Sequence, residues 1–183
     1  VFIDSCFSSL FTRSNMMEVL KGGLLMFLPR KILEEKIRKF LEEDLGQGDI
    51  TTFLTIPSGT IVEAEIVAKE SGVIAGVEET LAFLESFNFQ VEILVSDGSR
   101  VSKKATILSI VGDARALLSI ERTLLNLLTR MSGIATATSR LIEKVRRAGY
   151  KTRIACTRKV APGLSYFDKR AVMIGGGDTH RLH

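Results

Sequence analysis

The chain is poor in cysteine and histidine, with two of each in 183 residues. It also lacks long apolar runs and clusters of basic residues interleaved with aromatics. Each shortage removes a class of protein. Cys6 and Cys156 show no metal-ligand spacing, and His180 and His183 have no Cys or Glu placed to complete a zinc site. Free, buried thiols in a reducing cytoplasm are the expectation. No apolar stretch reaches the ~18 residues a membrane span needs. Lys and Arg number 25 against 21 acids, a net charge of +4, and so mild an excess suits a solvated basic surface better than a nucleic-acid partner. What is abundant is apolar side chain, 45% of the total, enough for a sizeable core.

The first 25 residues contain "VFIDSCFSSLFTRSN", which has neither a basic n-region nor a small-residue cleavage site and so does not read as a signal peptide. Lys21-Gly22-Gly23 is what a purine-rich ribosome-binding site would encode, two codons before Met26. Residues 1–25 are therefore expected to be a non-native or upstream extension, with Met26 as the natural start.

From Pro29 to Leu45 the pattern is helical, with Leu33, Ile37, Phe40, Leu41 and Leu45 on one stripe and Gly46 as a stop. "GQGDITT" reads as a loop. "TIVEAEIVAK" alternates Val62, Ala64, Ile66 and Ala68 against Glu63 and Glu65, which predicts a half-buried strand. A short strand in "SGVIAG", a helix in "VEETLAFLESF" and two strands about an Asp97-Gly98 turn follow. That order predicts an α+β domain, an antiparallel sheet with helices on one side. Asp113 is placed to N-cap a long helix that Ser132-Gly133 is expected to break. At 100° per residue Leu117, Ile120, Leu124, Leu127 and Met131 share its core side, and Arg122 faces away with Arg115, Asn126 and Thr129. A second helix is expected over "ATATSRLIEKVRRAGY". "KTRIACTRK" then reads as a strand, and "SYFDKRAVMIGGG" as a helix running into a glycine turn. This is the entry to a parallel α/β layer, and no second parallel strand is expected within the chain to pair with the first.

Loops after the C-terminal strand ends of α/β barrels carry active sites. Thr157, Arg158 and Lys159 take that place here. Arg forks onto carboxylates or phosphates, and Lys supplies a compact charge. A ligand with several anionic groups is implied. Gly175-Gly176-Gly177 follows, permitting a tight turn or a close backbone approach to a ligand, and then His180 and Arg181.

The series "TRKVAPGLSYFDKRAVMIGGGDTHR" resembles the signature of the quinolinate phosphoribosyltransferases, the carboxylating nicotinate-nucleotide pyrophosphorylases. "EDLGQGDITT" is similar to that family's N-terminal box and "ERTLLNLLTRMSGIATAT" to its middle box. The resemblance, over roughly residues 28 to 183, implies an N-terminal α/β sandwich domain at 26–125 and the beginning of an incomplete α/β barrel at 126–183. It implies transfer of phosphoribose from phosphoribosyl pyrophosphate to quinolinate, with release of pyrophosphate and carbon dioxide. Carried over by position, Arg158, His180 and Arg181 would hold the quinolinate carboxylates. Lys159 would face the phosphoribosyl substrate, with Thr157 donating beside it. Arg158 and Lys159 are thus the catalytic candidates. Arg122 would reach the site of a second subunit in a head-to-tail dimer. Mg2+ would accompany the pyrophosphate, on carboxylates expected beyond residue 183, so the chain by itself is expected to be without turnover. Ser165 stands where the family often has Arg, one cation fewer. The alternatives are a sibling enzyme taking nicotinate, a molybdenum-transport-associated relative, or a non-catalytic fragment. A biotinyl or lipoyl carrier is disfavoured because the Asp97-Gly98 turn has no lysine at its tip.

Overall fold

The computed structural model describes residues 28–46 and 48–179, so the expected extension at 1–25, and with it Met26 and Cys6, lies outside the described residues. Helix α1 spans Arg30–Leu45, and Leu33, Ile37 and Leu41 on its apolar stripe are buried. "GQGDITT" is not all loop: Ile50–Thr55 forms a short helix, α2. Its cause is a cap. The Asp49 carboxylate accepts from Thr52 N at 2.9 Å and from Thr52 Oγ1 at 2.5 Å, so an orphan amide of the first turn is satisfied.

Strand β1, Ile61–Val67, alternates as its sequence predicts, with Val62, Ala64 and Ile66 half-buried and Glu63 and Glu65 exposed. It runs antiparallel to β5, Thr106–Asp113, which also pairs with β3, Gln90–Ile93, giving the sheet order β1-β5-β3. The central strand places Leu108 and Ile110 in the core. The two strands expected about Asp97-Gly98 thus do pair, as β3 with β5, but the connection between them is longer than a tight hairpin turn. Arg100–Val101, β4, turns aside to pair with β2, Gly72–Val73. The pairing is continued by Gly98 N on Ile74 O at 2.8 Å and Ile74 N on Ser99 O at 3.0 Å, and Asp97 is used at long range. Its carboxylate accepts from Val77 N at 2.9 Å, at the start of helix α3 (Val77–Ser86), whose N-cap Gly76 has no side chain to offer.

Asp113 caps helix α4 by accepting from Ala116 N at 2.9 Å. The helix then runs unbroken from Ala114 to Arg147, 34 residues, so the break expected at Ser132-Gly133 and the separate second helix do not exist. Ser132 and Thr136, one turn apart, serve instead as a side-chain edge for β2 and the chain after it. Val73 N donates to Thr136 Oγ1 at 2.8 Å and Ala75 N to Ser132 Oγ at 3.1 Å. Gly133 has open space around it and simply continues the helix. The expected core side is confirmed by the burial of Ile120, Leu124, Leu127 and Met131.

The strand in "KTRIACTRK" is short, Ala155–Cys156 (β6), and it does have a parallel partner. Helix α5, Ser165–Ile174, leads back to β7, Asp178–Thr179, with Ala155 opposite Asp178 and Cys156 opposite Thr179. Two-residue strands are hidden in a sequence because they are too brief for alternation to register. None of the helices among the described residues is long and apolar enough to cross a membrane.

Candidate active site

The site is set by how α5 docks. Three consecutive charged residues on this helix, Asp168, Lys169 and Arg170, are buried. Asp168 receives a two-pronged bond from Arg130 of α4, Nε at 2.7 Å and Nη2 at 2.9 Å. Arg170 Nε lies 2.6 Å from Glu79 Oε1 on α3, and the same guanidinium pairs with Glu78. Tyr166 donates its hydroxyl to Glu79 at 3.0 Å. Burial pushes the Glu79 carboxyl above its ordinary range against the pull of Arg170, and burial likewise pushes the Tyr166 hydroxyl up. Between these polar anchors Phe167 is fully buried, its ring 5.7 Å from that of Phe40 and 5.2 Å from that of Tyr166.

Helix α5 so fixed anchors the end of the loop before it and the start of the turn after it. On its N-terminal side lies the loop from Thr157 to Leu164, leaving β6. Thr157 Oγ1 accepts from Lys159 N at 3.1 Å, and Val160 N donates to Arg158 O at 3.1 Å, which curls the chain just past the strand end. Pro162-Gly163 then reverses it through a turn closed by Leu164 N on Ala161 O, with Gly163 at a φ of 78° that suits glycine. On the C-terminal side a Cβ at Gly175 would stand 2.5 Å from Ala135 O of α4. The Gly175-Gly176-Gly177 run is therefore explained by a helix-to-helix approach and a turn.

The cations of this segment divide into two sets. Arg153 forks onto Asp178 across the β6–β7 pair, Nε to Oδ2 at 2.6 Å, and Arg170 is committed to Glu78 and Glu79. Arg158 and Lys159, by contrast, are exposed, and no ion pair links them to a carboxylate among the described residues. Thr157, Arg158 and Lys159 are brought together at the β6 end, as the sequence predicts. Arg122 stands elsewhere, on the outer face of α4, its Nη1 3.2 Å from Asp44 Oδ1. His180 and Arg181 lie outside the described residues; in sequence they follow Thr179, whose partner in the parallel pair is Cys156. Sequence reasoning missed Arg130, Asp168, Glu79 and Arg170, which hold the site's scaffold. Only the unusual run of charge inside an otherwise apolar α5 pointed to them. Two clefts of about 400 Å³ each flank α4: one against α1, lined in part by Asp44, Thr123, Arg130 and Leu164 at the end of the site loop, and one against β1. Among the described residues no group of three or more His, Cys, Asp or Glu is placed to hold a metal.

Two family models match adjoining stretches: the quinolinate phosphoribosyl transferase N-terminal domain over residues 49–132 and its C-terminal domain over residues 134–183. The chain belongs to the quinolinate phosphoribosyltransferase family. It is 46% identical over 146 residues to a probable nicotinate-nucleotide pyrophosphorylase (carboxylating) of Methanothermobacter thermautotrophicus, covering 80% of this chain and 52% of that protein. Against the Mycobacterium leprae nicotinate-nucleotide pyrophosphorylase (carboxylating) the identity is 45% over 153 residues, covering 81% and 53%. Among solved structures, NadC from Streptococcus pyogenes superposes with a TM-score of 0.80 at 30% identity, covering 87% of this chain and 56% of that one. The nicotinate-nucleotide pyrophosphorylase from Francisella tularensis gives 0.77 at 33%, covering 86% and 56%. The chain thus spans about half the length of the relatives it matches. These phosphoribosyltransferase relatives bear out the expected architecture, a sandwich domain with an antiparallel sheet followed by the start of an incomplete barrel.

Proposed function

We propose that the full-length protein carrying this sequence transfers the phosphoribosyl group of phosphoribosyl pyrophosphate to quinolinate, forming nicotinate mononucleotide for NAD biosynthesis. The observation that carries this is the pair of exposed, uncommitted cations, Arg158 and Lys159, at the end of β6 in a chain of this family. In the reaction the pyridine nitrogen attacks the anomeric carbon and the bond to the pyrophosphate oxygen breaks, so pyrophosphate leaves with the electron pair. The nitrogen, now cationic, draws in the electrons of the bond to the 2-carboxylate. Carbon dioxide departs, and a proton takes its place on the ring carbon. No covalent nucleophile is required. The chain's task is to grip two adjacent, mutually repelling carboxylates and hold the ring nitrogen over the sugar.

Arg158 is assigned to a ring carboxylate together with His180 and Arg181, and Lys159 to the phosphoribosyl phosphate, with Thr157 donating beside them. Arg122 serves the corresponding site of a second copy in a homodimer. Magnesium belongs with the pyrophosphate. The described residues offer no acidic cluster that fits it, so no step is assigned to it here. The reaction belongs to the cytoplasm.

The test measures nicotinate mononucleotide formation by the full-length protein with quinolinate and, separately, with nicotinate. Turnover of quinolinate that falls by at least about 100-fold in kcat/KM on Arg158→Ala is expected, since a doubly held carboxylate is lost. Preference for nicotinate, or an unaffected Arg158→Ala variant, would overturn the assignment.

A further inference from the structure

Helix α1 closes on Glu42-Glu43-Asp44 with no basic residue in its last turn. Carboxylates there face the negative end of the helix dipole, which disfavours them. Asp44 is offset by α4. Its two oxygens are taken by two successive residues of that helix: Oδ1 accepts from Arg122 Nη1 at 3.2 Å and Oδ2 from Thr123 Oγ1 at 3.4 Å. Thr123 is buried, so it can fix the carboxylate from the inner side, while the Arg122 side chain remains 73% exposed.

The charge of the same guanidinium is also felt at a second carboxylate. Asp49, the cap of α2, is held below its ordinary range by the Thr52 hydroxyl and amide, and the positive charge of Arg122 adds to that. Two turns earlier on α4, Arg115 shows the alternative fate of an outward arginine. Its Nε and Nη2 donate to Ile56 O at 2.8 Å and Phe53 O at 3.1 Å, and its guanidinium lies 4.9 Å from the centre of the Phe53 ring. Arg115 is consumed in anchoring α2. Arg122, among the described residues, gives one N–H to one oxygen. A guanidinium has five N–H donors in a planar fork, and a single-point bond at one edge leaves another edge able to take a carboxylate two-pronged.

We infer that Asp44 is a positioning residue that tethers Arg122 by one nitrogen and so presents the rest of its guanidinium outward, ready for a carboxylate of the substrate. The inference rests on the role proposed above for Arg122. It also gives the two sequence boxes one purpose: the acid of "EDLGQGDITT" orients the arginine of "ERTLLN". The gain comes from pre-organisation. A long side chain held near its working geometry has less freedom to lose when ligand arrives.

The experiment uses the full-length protein and the variants Asp44→Asn, Arg122→Ala and the double variant, with KM measured for quinolinate and for phosphoribosyl pyrophosphate. Asp44→Asn keeps the shape and the contact with Thr123 but removes the charge. It is expected to raise KM for quinolinate by about two- to fivefold, the range of an exposed ion pair converted to a ratio. The values of kcat and of KM for phosphoribosyl pyrophosphate should stay within twofold. In the Arg122→Ala background Asp44→Asn should add nothing, because its effect passes through the arginine. Side-chain nitrogen relaxation of Arg122 supplies a readout independent of turnover: its guanidinium should become more mobile in Asp44→Asn. If Arg122→Ala impairs quinolinate use while Asp44→Asn leaves both KM and the mobility of Arg122 unchanged, the positioning role is wrong and the function stands. If the two effects multiply in the double variant, Asp44 acts by another route. If Arg122→Ala itself leaves quinolinate KM unchanged, the proposed role of the arginine falls, and the inference with it.

Discussion

At the scale of single residues, the useful distinction is between cations that are spent on the fold and cations that are not. Arg170 is buried against Glu79, which is 1% exposed. Arg170→Met strands a buried acid and is expected to cost about 3–5 kcal/mol in urea unfolding, as when one partner of a buried pair is removed. Arg158→Ala should change stability by less than about 0.5 kcal/mol, since an exposed side chain away from such features contributes little. A comparable loss for both would erase the division. Glu79 also sets a pH dependence. Burial raises its carboxyl above the unfolded value, so the folded state binds the proton more readily. Its contribution therefore falls as pH rises from the ordinary glutamate range through the folded value. Stability measured against pH should show that decline, and Glu79→Gln should flatten it.

At the scale of elements, α4 shows what could be read in advance and what could not. Its start was legible because Asp113 and the following apolar periodicity act locally, through a carboxylate three residues from the amide it caps. Its length was not, because Ser132-Gly133 looks like a stop until Ala75, just past β2, is present to use the Ser132 hydroxyl. Asp97 is the same case, since its capping of α3 spans a separation of 20 residues. Local rules see neighbours in sequence, and these bonds join neighbours in space. Two substitutions follow. Gly133→Ala meets nothing within 4 Å in a helical stretch and should stabilise by about 0.5–1 kcal/mol on thermal or urea unfolding. Thr136→Val keeps the volume but leaves Val73 N without its acceptor, and a loss of about 1–3 kcal/mol is expected.

At the scale of the whole molecule, the cationic strand end was legible because it is written contiguously as Thr157-Arg158-Lys159. The frame that holds it was not, because it is drawn from three helices far apart in sequence: Arg130 on α4, Glu78 and Glu79 on α3, and Asp168 and Arg170 on α5. Docking of α5 thus couples the sheet-bearing half to the site loop, and the approach at Gly175 leaves it no slack. Gly175→Ala should push α5 off α4. A lower melting temperature is expected, and in the full-length protein a higher KM for quinolinate, because the loop that carries Arg158 runs into the start of that helix.

The two family models meet at Gly133, in the middle of α4. At ~1.5 Å per residue the 34 residues make a rod about 50 Å long that belongs to both halves at once. The border that evolution drew between two modules is thus no seam in the folded object. A protease seeking the customary linker finds wound backbone there, and any rocking of one module upon the other has to flex a beam, for no hinge is provided.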